Sequence, residues 1–372
     1  MTAPHGSHSS ADLLTRLADG TDLNYVWNEY ITLLNAVNDE RQAIISFLSF
    51  PVTNPVETVV NPGPGIDFEI ASEFGEPVGR RIKPSVFQMG YTFKWYDLAS
   101  RYTWMFLAEA SRDQVDSIAN AAVEAHLRLQ MTEVMKTIFN PTNLAATIDG
   151  LAYTVYKFYN NDGTVPPPVK TTTFAGTHQH YVTSGATTVD PGDLQVFLDD
   201  FASHGYDNVL GGYKIVLMVN KTQGDTIRTF RAGTANSLYD FIPSVGQPGQ
   251  IVTFDPRTEL LGATRPANTL QGLNVIGSWG NMLIVQDSWI PSGYMLGFVT
   301  GGKDNISNPV GYRQHAQSSL RGLKLVKGRN ADYPLIDSFW TLGFGTGIRH
   351  RGAGIVMQIT ASGSYTTPSE FV

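Results

Sequence analysis

The sequence feature that most constrains the fold is one long helical pattern over residues 111–140, SRDQVDSIANAAVEAHLRLQMTEVMKTIFN. Its apolar residues recur every three or four positions, which is the spacing of one helix face. They are Val115, Ile118, Ala119, Ala122, Val123, Leu127, Met131, Val134, Met135 and Ile138. Ser111 and Gln114 form a capping-box pair at the start, and Pro141 ends the helix because proline lacks a backbone donor. A rod of about 45 Å follows from a rise of ~1.5 Å per residue. It is either a structural beam or a long core helix of an ordinary domain.

The composition narrows the class of protein. Charged residues make up 16% of the 372 positions, well below the usual quarter, and 36 glycines with 20 prolines supply many turns. This composition suits β-structure with large subunit contacts, and it suits a large β-rich protein equally well. The net charge of −7 argues against a general nucleic-acid-binding surface, which would be basic. The absence of cysteine excludes disulfides, thiolate zinc sites and a cysteine nucleophile.

The beginning of the chain carries no membrane or export signal. No apolar run reaches 18 residues, so no membrane span is expected, and the first residues lack the basic and apolar regions of a secretory signal. Residues 1–20 are small and polar, which predicts a flexible arm unless a partner holds them. Residues 22–48 are predicted to be helical in two pieces, with Pro51 ending the second.

Residues 52–100 are rich in proline and glycine, which forbids long helices there. In 86–96 the residues alternate, which predicts a strand with one apolar face. That face carries Phe87, Met89, Tyr91, Phe93 and Trp95. We predict a two-armed β excursion from Pro55 to Lys94. Two strands alone are marginal in water, so a partner surface is implied, although a meander within a compact sheet remains the alternative.

The remainder of the chain has the pattern of a mixed α/β region. Residues 147–169 contain a short strand and a stiff junction at Pro166–Pro168, and the Thr-rich residues 170–190 are predicted to form a hairpin. A helix is expected over 190–205, with Asp190 as its cap and Pro191 at its first position. Residues 221–272 are expected to be irregular. Strands are predicted at 213–220, 272–291, 294–302, 320–328, 337–350 and 352–360.

Two histidines are the main candidates for a metal site. His178 and His180 would point to the same side of a strand, as metal-ligand pairs do, and His204 or Asp190 could supply a third ligand. Two polar residues in a Thr-rich hairpin favour surface or interface groups over ligands. We therefore predict no metal site.

Other motifs give no enzymatic signature. The run Gly343, Gly345 and Gly347 lacks the following helix of a dinucleotide-binding loop, so turn or bulge glycines are expected. Arg349, His350 and Arg351 could meet phosphate, but alternate faces of a strand favour salt-bridged or subunit-facing roles. We expect no catalytic residue, no cofactor and no enzyme.

A basic cluster lies on the predicted hairpin. Arg80, Arg81 and Lys83 could contact the acidic residues of a neighbouring chain, for instance Glu124 or Glu133 on its long helix. A solvated hairpin tip explains the cluster equally well.

The chain resembles the major capsid proteins of tailed bacteriophages, those with the Hong Kong 97-type fold, and those of actinobacteriophages in particular. The order of elements carries the resemblance over nearly the whole chain. The matching segments are GTVPPPVK (163–170), GTHQHY (176–181), HGYDNVLGGYKIVLMVN (204–220), GSWGNMLIVQDSWIPSGYMLG (277–297) and GFGTGIRHRGAGIVMQIT (343–360).

The resemblance implies an α+β fold with named parts. These are an N-arm at 1–52, an E-loop at 53–97, a first part of the P-domain at 98–149 with its spine helix at 111–140, a small β insertion at 150–185, an A-domain at 186–320, and closing P-domain strands with the C-terminus at 321–372. The E-loop residues implied to contact a neighbouring subunit are Arg80, Arg81, Lys83, Phe87, Tyr91, Phe93 and Trp95.

The resemblance also implies partners and a location. It implies hexamers and pentamers in an icosahedral shell around double-stranded DNA, which lies near the protein without sequence-specific contact, and no membrane. A portal, decoration proteins and a separate scaffolding protein are the further partners, and the shell of the virion would assemble in the host bacterial cytoplasm. Some relatives carry a Lys–Asn cross-link assisted by a glutamate. No cross-link is expected here, because Glu370 is the only glutamate in 321–372.

Two other functions fit parts of the same pattern. An encapsulin-type compartment has the same fold and holds protein cargo. A soluble β-rich hydrolase or carbohydrate-binding protein could use the region around His178 and His180, and it would be a monomer or a small oligomer.

Overall fold

The computed structural model of the chain describes residues 16–39, 42–61, 70, 73, 75, 85–148, 150–207, 212–245, 266–270, 272–327 and 335–372. Its helices are α1 (Leu23–Asp39), α2 (Ala43–Leu48), α3 (Trp104–Glu109), α4 (Arg112–Phe139), α5 (Pro191–Ser203) and α6 (Lys221–Ile227). Its strands are β1 (Ser49–Val52), β2 (Val56–Asn61), β3 (Ser85–Gly90), β4 (Lys94–Thr103), β5 (Leu144–Ile148), β6 (Leu151–Val155), β7 (Tyr181–Thr183), β8 (Lys214–Val219), β9 (Phe241–Pro243), β10 (Thr269–Leu270), β11 (Leu273–Trp279), β12 (Met282–Gln286), β13 (Tyr294–Thr300), β14 (Val310–Gln314), β15 (Lys324–Lys327), β16 (Leu335–Ile348) and β17 (Gly354–Gln358). Among the described helices, none has the length and hydropathy that a membrane span requires.

The predicted long helix is confirmed as α4. Its start is the predicted capping box, in which the Ser111 N–H donates to Oε1 of Gln114 at 3.0 Å. Its amino-terminal half buries only one stripe of the helix, whereas its last turns from Val134 to Phe139 bury most sides. The buried end packs against β16, where the hydroxyls of Thr137 and Thr346 lie 2.6 Å apart. The long helix is therefore packed most tightly into the core at its carboxyl end.

A five-stranded sheet lies against this helix. Its path is β1-β14-β16-β15, and β4 pairs with β16 as well. The fourteen-residue β16 organises this sheet because β4, β14 and β15 all pair with it in antiparallel register. Along β4, all ten residues from Lys94 to Thr103 face partners on β16.

A second sheet of eight strands forms the other large core. Its path is β10-β11-β12-β8-β13-β17-β7, with β9 on β11. Strand β8 lies at its centre, parallel to β12 and antiparallel to β13. Its residues Val216 to Val219 are fully buried, as expected for a central strand with both faces covered. Helix α5 covers one face through Leu194, Phe197 and Phe201.

A third, four-stranded sheet joins two hairpins in the order β2-β3-β6-β5. Strands β2 and β3 pair from Val56–Gly90 to Asn61–Ser85, and this pairing matches the two arms expected for the β excursion at its base. Only the residue pair Met89–Thr154 links β3 to β6. The base of the excursion is thus held by a hairpin that comes from beyond α4.

Several sequence expectations are wrong in detail. Residues 170–190 do not pair with each other as a hairpin: Thr172 bridges to Val169, residues 176–180 bond to the backbone of 159–163, and β7 pairs with β17. The expected irregular region 221–272 begins with α6, which Asn220 caps by accepting from the Thr222 N–H at 3.3 Å. These features depend on distant segments or on one capping residue, which alternation does not reveal.

Pro51 does not end the second helix. Helix α2 stops at Leu48, where the Ser49 hydroxyl donates to the Ile45 carbonyl at 2.6 Å. Pro51 instead lies in β1, whose one partner in the described chain is β14. An edge position tolerates proline because its missing donor leaves no ladder bond unmade.

Sheet membership crosses the expected boundary at residue 320. Strand β14 precedes this boundary but belongs to the five-stranded sheet, and β17 follows it but belongs to the eight-stranded sheet. The two large sheets are therefore interleaved near the carboxyl terminus, because the chain passes from one to the other in the turn after β16.

Candidate inter-subunit surface and histidine cluster

The base of the β excursion exposes an apolar pair. Val60 on β2 and Val86 on β3 are cross-strand partners, and each side chain is 58% exposed. A directly opposed β-branched pair stabilises a sheet when it is covered. In this chain the pair is exposed one register before Asn61–Ser85, the last described pair of the excursion. The predicted basic cluster, Arg80, Arg81 and Lys83, lies outside the described residues.

The predicted aromatic face does not form one continuous strand. The segment between β3 and β4 is fixed to β16 at Thr92, whose N–H donates to the Thr346 carbonyl at 3.1 Å. The Thr346 N–H in turn donates to the Thr92 hydroxyl at 2.9 Å. A Cβ on Gly345 would lie 1.6 Å from the Thr92 carbonyl oxygen, so the absence of a side chain there permits this contact. Gly343 and Gly347 likewise face Trp95 and Tyr91.

The burial of Tyr91 therefore contradicts the prediction that this residue contacts a neighbouring subunit. Its side chain is 1% exposed and packs over Gly311 and Gly347 of its own chain. Burial and the nearby Glu57 carboxylate raise the pKa of its hydroxyl. Alternation alone predicted that Tyr91 lies on one strand face with Phe93 and Trp95. The strand is interrupted at Thr92, and the Tyr91 ring therefore points into the core.

The other three aromatic candidates remain accessible to different degrees. Phe87 is half-buried and meets Tyr156 edge-on at 6.4 Å. Phe93 packs edge-on against Trp95 at 5.4 Å and lies under the Arg313 guanidinium at 4.9 Å. Trp95 is 52% exposed at the start of β4.

Strand β4 presents an open edge beside these aromatics. No other described strand pairs with it besides β16. Most of its ten side chains are exposed, including Leu98, and Met105 follows immediately in α3. A long edge strand with exposed apolar side chains is a site for further association.

The two acidic candidates on α4 differ. Glu133 lies 3.8 Å from Lys94 of its own chain, and burial together with Glu133 raises the pKa of Tyr96 to about 12. Glu124 is exposed on the opposite part of the helix. Glu133 thus already contacts a cation at the base of the excursion within its own chain.

The arginines of the basic run Arg349–Arg351 form salt bridges, which is one of the two roles expected for this run. It follows the end of β16 and lies outside the strand. Arg349 pairs with Glu57 on β2 at 3.0 Å, and Arg351 pairs with Asp162 at 2.7 Å. A cavity of 210 Å³ is lined both by this run and by the base of the excursion.

The histidines form a buried cluster, and the interpretation as surface groups is wrong for His180. His180 is fully buried, and its Nε2 atom lies 2.9 Å from that of His178 and 3.0 Å from that of His204. Asp200 on α5 completes the group, whereas Asp190 serves as the cap of that helix. His204 was one of the two third ligands considered from the sequence. The fourth member, Asp200, could have been found from its position four residues before His204 on a predicted helix.

Burial sets the charge states of this cluster. It lowers the pKa of His178 and of His180, and it lowers the pKa of His204 to about 3 with a further effect from His178. Burial also raises the pKa of Asp200 to about 7. Each of the three shifts favours the uncharged form of the ring, in which one ring nitrogen carries a lone pair.

The interleaved sheets, the anchored long helix and the excursion with an exposed base define a class of protein. The class is the shell-forming subunit with the Hong Kong 97-type fold. Comparison with solved structures agrees with this assignment. The chain is similar to a protein of Mycobacterium phage Patience at 41% identity, with a TM-score of 0.77, over 100% of this chain and 97% of that one. It belongs to the family of tailed-bacteriophage major capsid proteins with this fold.

Two other similarities are weaker. The mature capsid of bacteriophage PhiM1 matches with a TM-score of 0.52 at 10% identity, over 86% of this chain and 88% of that one, which shows the fold alone. An encapsulin of Synechococcus elongatus matches with a TM-score of 0.45 at 11% identity, over 91% of this chain and 98% of that one. That level of similarity gives no support to the encapsulin alternative. No protein-family model matches the chain, and no curated protein matches it.

Proposed function

We propose that this capsid protein assembles as pentamers and hexamers of an icosahedral shell around double-stranded DNA, and that a neighbouring subunit covers the base of its E-loop. The Val60–Val86 pair carries this proposal, because it is a cross-strand apolar pair exposed on the hairpin that leads into the E-loop. Burying two such side chains contributes about 1.5–3 kcal/mol each. A subunit that repeats this contact around a ring gains that stabilisation at every interface.

The open edge of β4 extends the same surface. Trp95 and Leu98 are exposed there, and Met105 continues the apolar area at the start of α3. Phe87, Phe93 and Trp95 are the aromatic residues that we assign to the interface, and Tyr91 is left out because its own core buries it. Arg80, Arg81 and Lys83 stay predictions for the E-loop tip, with Glu124 of a neighbour as the more accessible acidic partner.

We keep the division of the chain that the family resemblance implies, although several strands join sheets across its boundaries. We assign the N-arm to 1–52, the E-loop to 53–97, the first part of the P-domain to 98–149 and the small insertion to 150–185. We assign 186–320 to the A-domain. Strand β14 of this range lies in the five-stranded P-domain sheet, and β17 of the closing segment lies in the eight-stranded A-domain sheet. This exchange supports a rigid connection between the two domains in each subunit.

The role is structural, and the remaining partners follow from it. Assembly takes place in the host bacterial cytoplasm with a separate scaffolding protein, a portal and decoration proteins. The packaged DNA lies near the inner surface, and the net charge of −7 supports weak, sequence-independent proximity. No Lys–Asn cross-link is expected. A covalent ladder of subunits on a denaturing gel of boiled particles would show one.

The E-loop itself provides the test. Replacing residues 62–84 by Asn-Gly closes the hairpin at the Asn61–Ser85 pair and retains β2, β3 and their contact with β6. We expect a folded chain by circular dichroism and no closed shells by negative-stain microscopy. Normal closed shells from this variant would contradict the proposed role of the E-loop.

A further inference from the structure

Four side chains from two separate segments converge on one point in the small insertion. The Nε2 atoms of His178, His180 and His204 form a triangle with sides of 2.9, 2.9 and 3.0 Å. Asp200 places Oδ2 at 3.1 Å from Nε2 of His180 and Oδ1 at 3.7 Å from Nε2 of His178. All four ligand atoms lie within 4.8 Å of one another.

Hydrogen bonding within the triangle cannot account for this convergence. Each Nε2 atom is either a donor or an acceptor, and a donor carries a single proton. Three mutually adjacent atoms cannot alternate between the two roles, so at least one side of the triangle joins two donors or two acceptors. A cation bound to one side of the plane of the triangle would accept all three lone pairs at once.

The tautomer of His180 is fixed in the form that binds a cation. Its Nδ1 atom lies 2.7 Å from the carbonyl oxygen of Gly354. A carbonyl oxygen only accepts, so Nδ1 carries the proton and Nε2 of the neutral ring presents its lone pair to the cluster. A backbone acceptor on the far nitrogen is the usual outer support of a metal-binding histidine.

His204 and Asp200 are also held in place. The His204 ring stacks on Phe174 at 4.5 Å with an interplanar angle of 6°, and a Cβ on Gly352 would lie 2.9 Å from its Nδ1 atom. Asp200 precedes His204 by one helical turn, so both side chains lie on the same face of the end of α5. The Oδ2 atom of Asp200 is buried and accepts no hydrogen bond from the described residues.

We propose that His178, His180, His204 and Asp200 bind one divalent transition-metal ion, with Zn²⁺ as the preferred ion. Three imidazole nitrogens and one carboxylate oxygen form a ligand set that suits tetrahedral zinc. Four protein ligands leave no open position, so the site is structural and not catalytic. The buried cation Arg351 is paired with Asp162 at 2.7 Å, which leaves the carboxylate of Asp200 to the metal.

The site connects three parts of the subunit. His178 and His180 lie in the insertion, Asp200 and His204 lie at the end of α5, and Gly354 begins β17. The backbone of 176–180 bonds mainly to 159–163 of the same insertion, so a metal ion would add a link between this paired segment and α5. Metal binding to the native fold alone raises stability in proportion to the logarithm of the free ion concentration.

The test uses the full-length chain purified with Zn²⁺ and dialysed against a weak chelator. We expect about one zinc per chain by elemental mass spectrometry. The His178→Gln, His204→Gln and Asp200→Asn variants should each lose at least tenfold in zinc affinity, and the control His350→Gln should retain it. His350 is a partly buried histidine outside the cluster, and its side chain contacts the Ile306 carbonyl instead.

Two further measurements follow, of which the first uses the wild-type chain alone. Wild-type chain loaded with Co²⁺ should show the intense visible absorption of a tetrahedral centre with nitrogen ligands, and Zn²⁺ should displace it. Zn²⁺ should also raise the thermal midpoint of wild-type chain but not that of Asp200→Asn. Folded wild-type chain that retains no zinc would overturn the proposal, as would zinc that persists unchanged in all three variants.

Discussion

The guanidinium of Arg351 donates from Nη2 to Oδ2 of Asp162 at 2.7 Å, although 189 positions separate the two residues in the chain. Arg351 is 6% exposed, and it also donates to the backbone carbonyls of Lys157 and Phe158 and to the Asn160 side chain. One buried side chain thus fixes the insertion to the turn that joins the two large sheets.

We therefore expect Arg351→Met to destabilise the chain by about 3–5 kcal/mol, because it leaves the Asp162 carboxylate partly buried without its cation. Chemical denaturation of the full-length chain measures this change. The control is Lys170→Met, which removes the exposed pair with Asp207 and should cost about 1 kcal/mol or less. Equal effects of the two substitutions would show that Arg351 has no special role.

The exposed valine pair predicts a defect in assembly without a defect in folding. Val86→Asp places a charge on an accessible position, so the free energy of unfolding of the isolated chain should change by about 0.5 kcal/mol or less. Shell formation should fail because the charge would be buried under a neighbouring subunit. Light scattering of assembly reactions gives the readout, and Val86→Thr, which keeps the shape, should assemble. Wild-type yields of shells from Val86→Asp would place the interface elsewhere.

The close contact between Gly345 and the Thr92 backbone predicts that a side chain at position 345 destabilises the fold. A Cβ at this position would overlap the Thr92 carbonyl oxygen, which is backbone and cannot move aside cheaply. Gly345→Ala should separate β16 from the segment before β4 and destabilise the chain by about 3 kcal/mol or more. The matched control is Gly363→Ala, because no atom lies within 4 Å of a Cβ at Gly363. Thermal unfolding compares the two variants, and equal midpoints would contradict the expected overlap.

His126 predicts a loss of stability at mildly acidic pH. It is buried in the middle of α4, its Nδ1 atom has no hydrogen-bond partner in the described chain, and burial lowers its pKa from 6.5 to about 4. The unfolded chain therefore binds a proton near pH 6.5 that the folded chain resists until about pH 4. Stability falls as the pH decreases through this window, and this residue contributes about 3 kcal/mol to the fall.

The measurement is the free energy of unfolding of wild-type chain and of His126→Gln between pH 7 and pH 4. Glutamine does not titrate, so the variant should lose less stability across the window. Parallel curves for the two proteins would show that His126 is already protonated in the folded state, or that the decline arises from other groups.

Local sequence determined the elements whose signals lie within a few residues of each other. The capping box at Ser111 and Gln114, the stop at Pro141 and the Asp190–Pro191 start of α5 fixed helix ends, because caps satisfy backbone groups within one turn. A continuous apolar run likewise located the central strand β8, and alternation located the strand that became β3. Alternation failed at Tyr91, where a backbone contact between Thr92 and Thr346 interrupts the strand and buries the ring.

Tertiary structure alone decided the relations between segments far apart in the chain. The exchange of β14 and β17 between sheets, the position of Arg351 beside Asp162 and the meeting of His178 and His180 with Asp200 all depend on how the two large sheets pack. A sequence pattern records the periodicity of one element, whereas a cluster requires the relative position of several. For this reason the sequence by itself indicated the family and the longer helices, and the folded chain revealed the histidine–aspartate cluster.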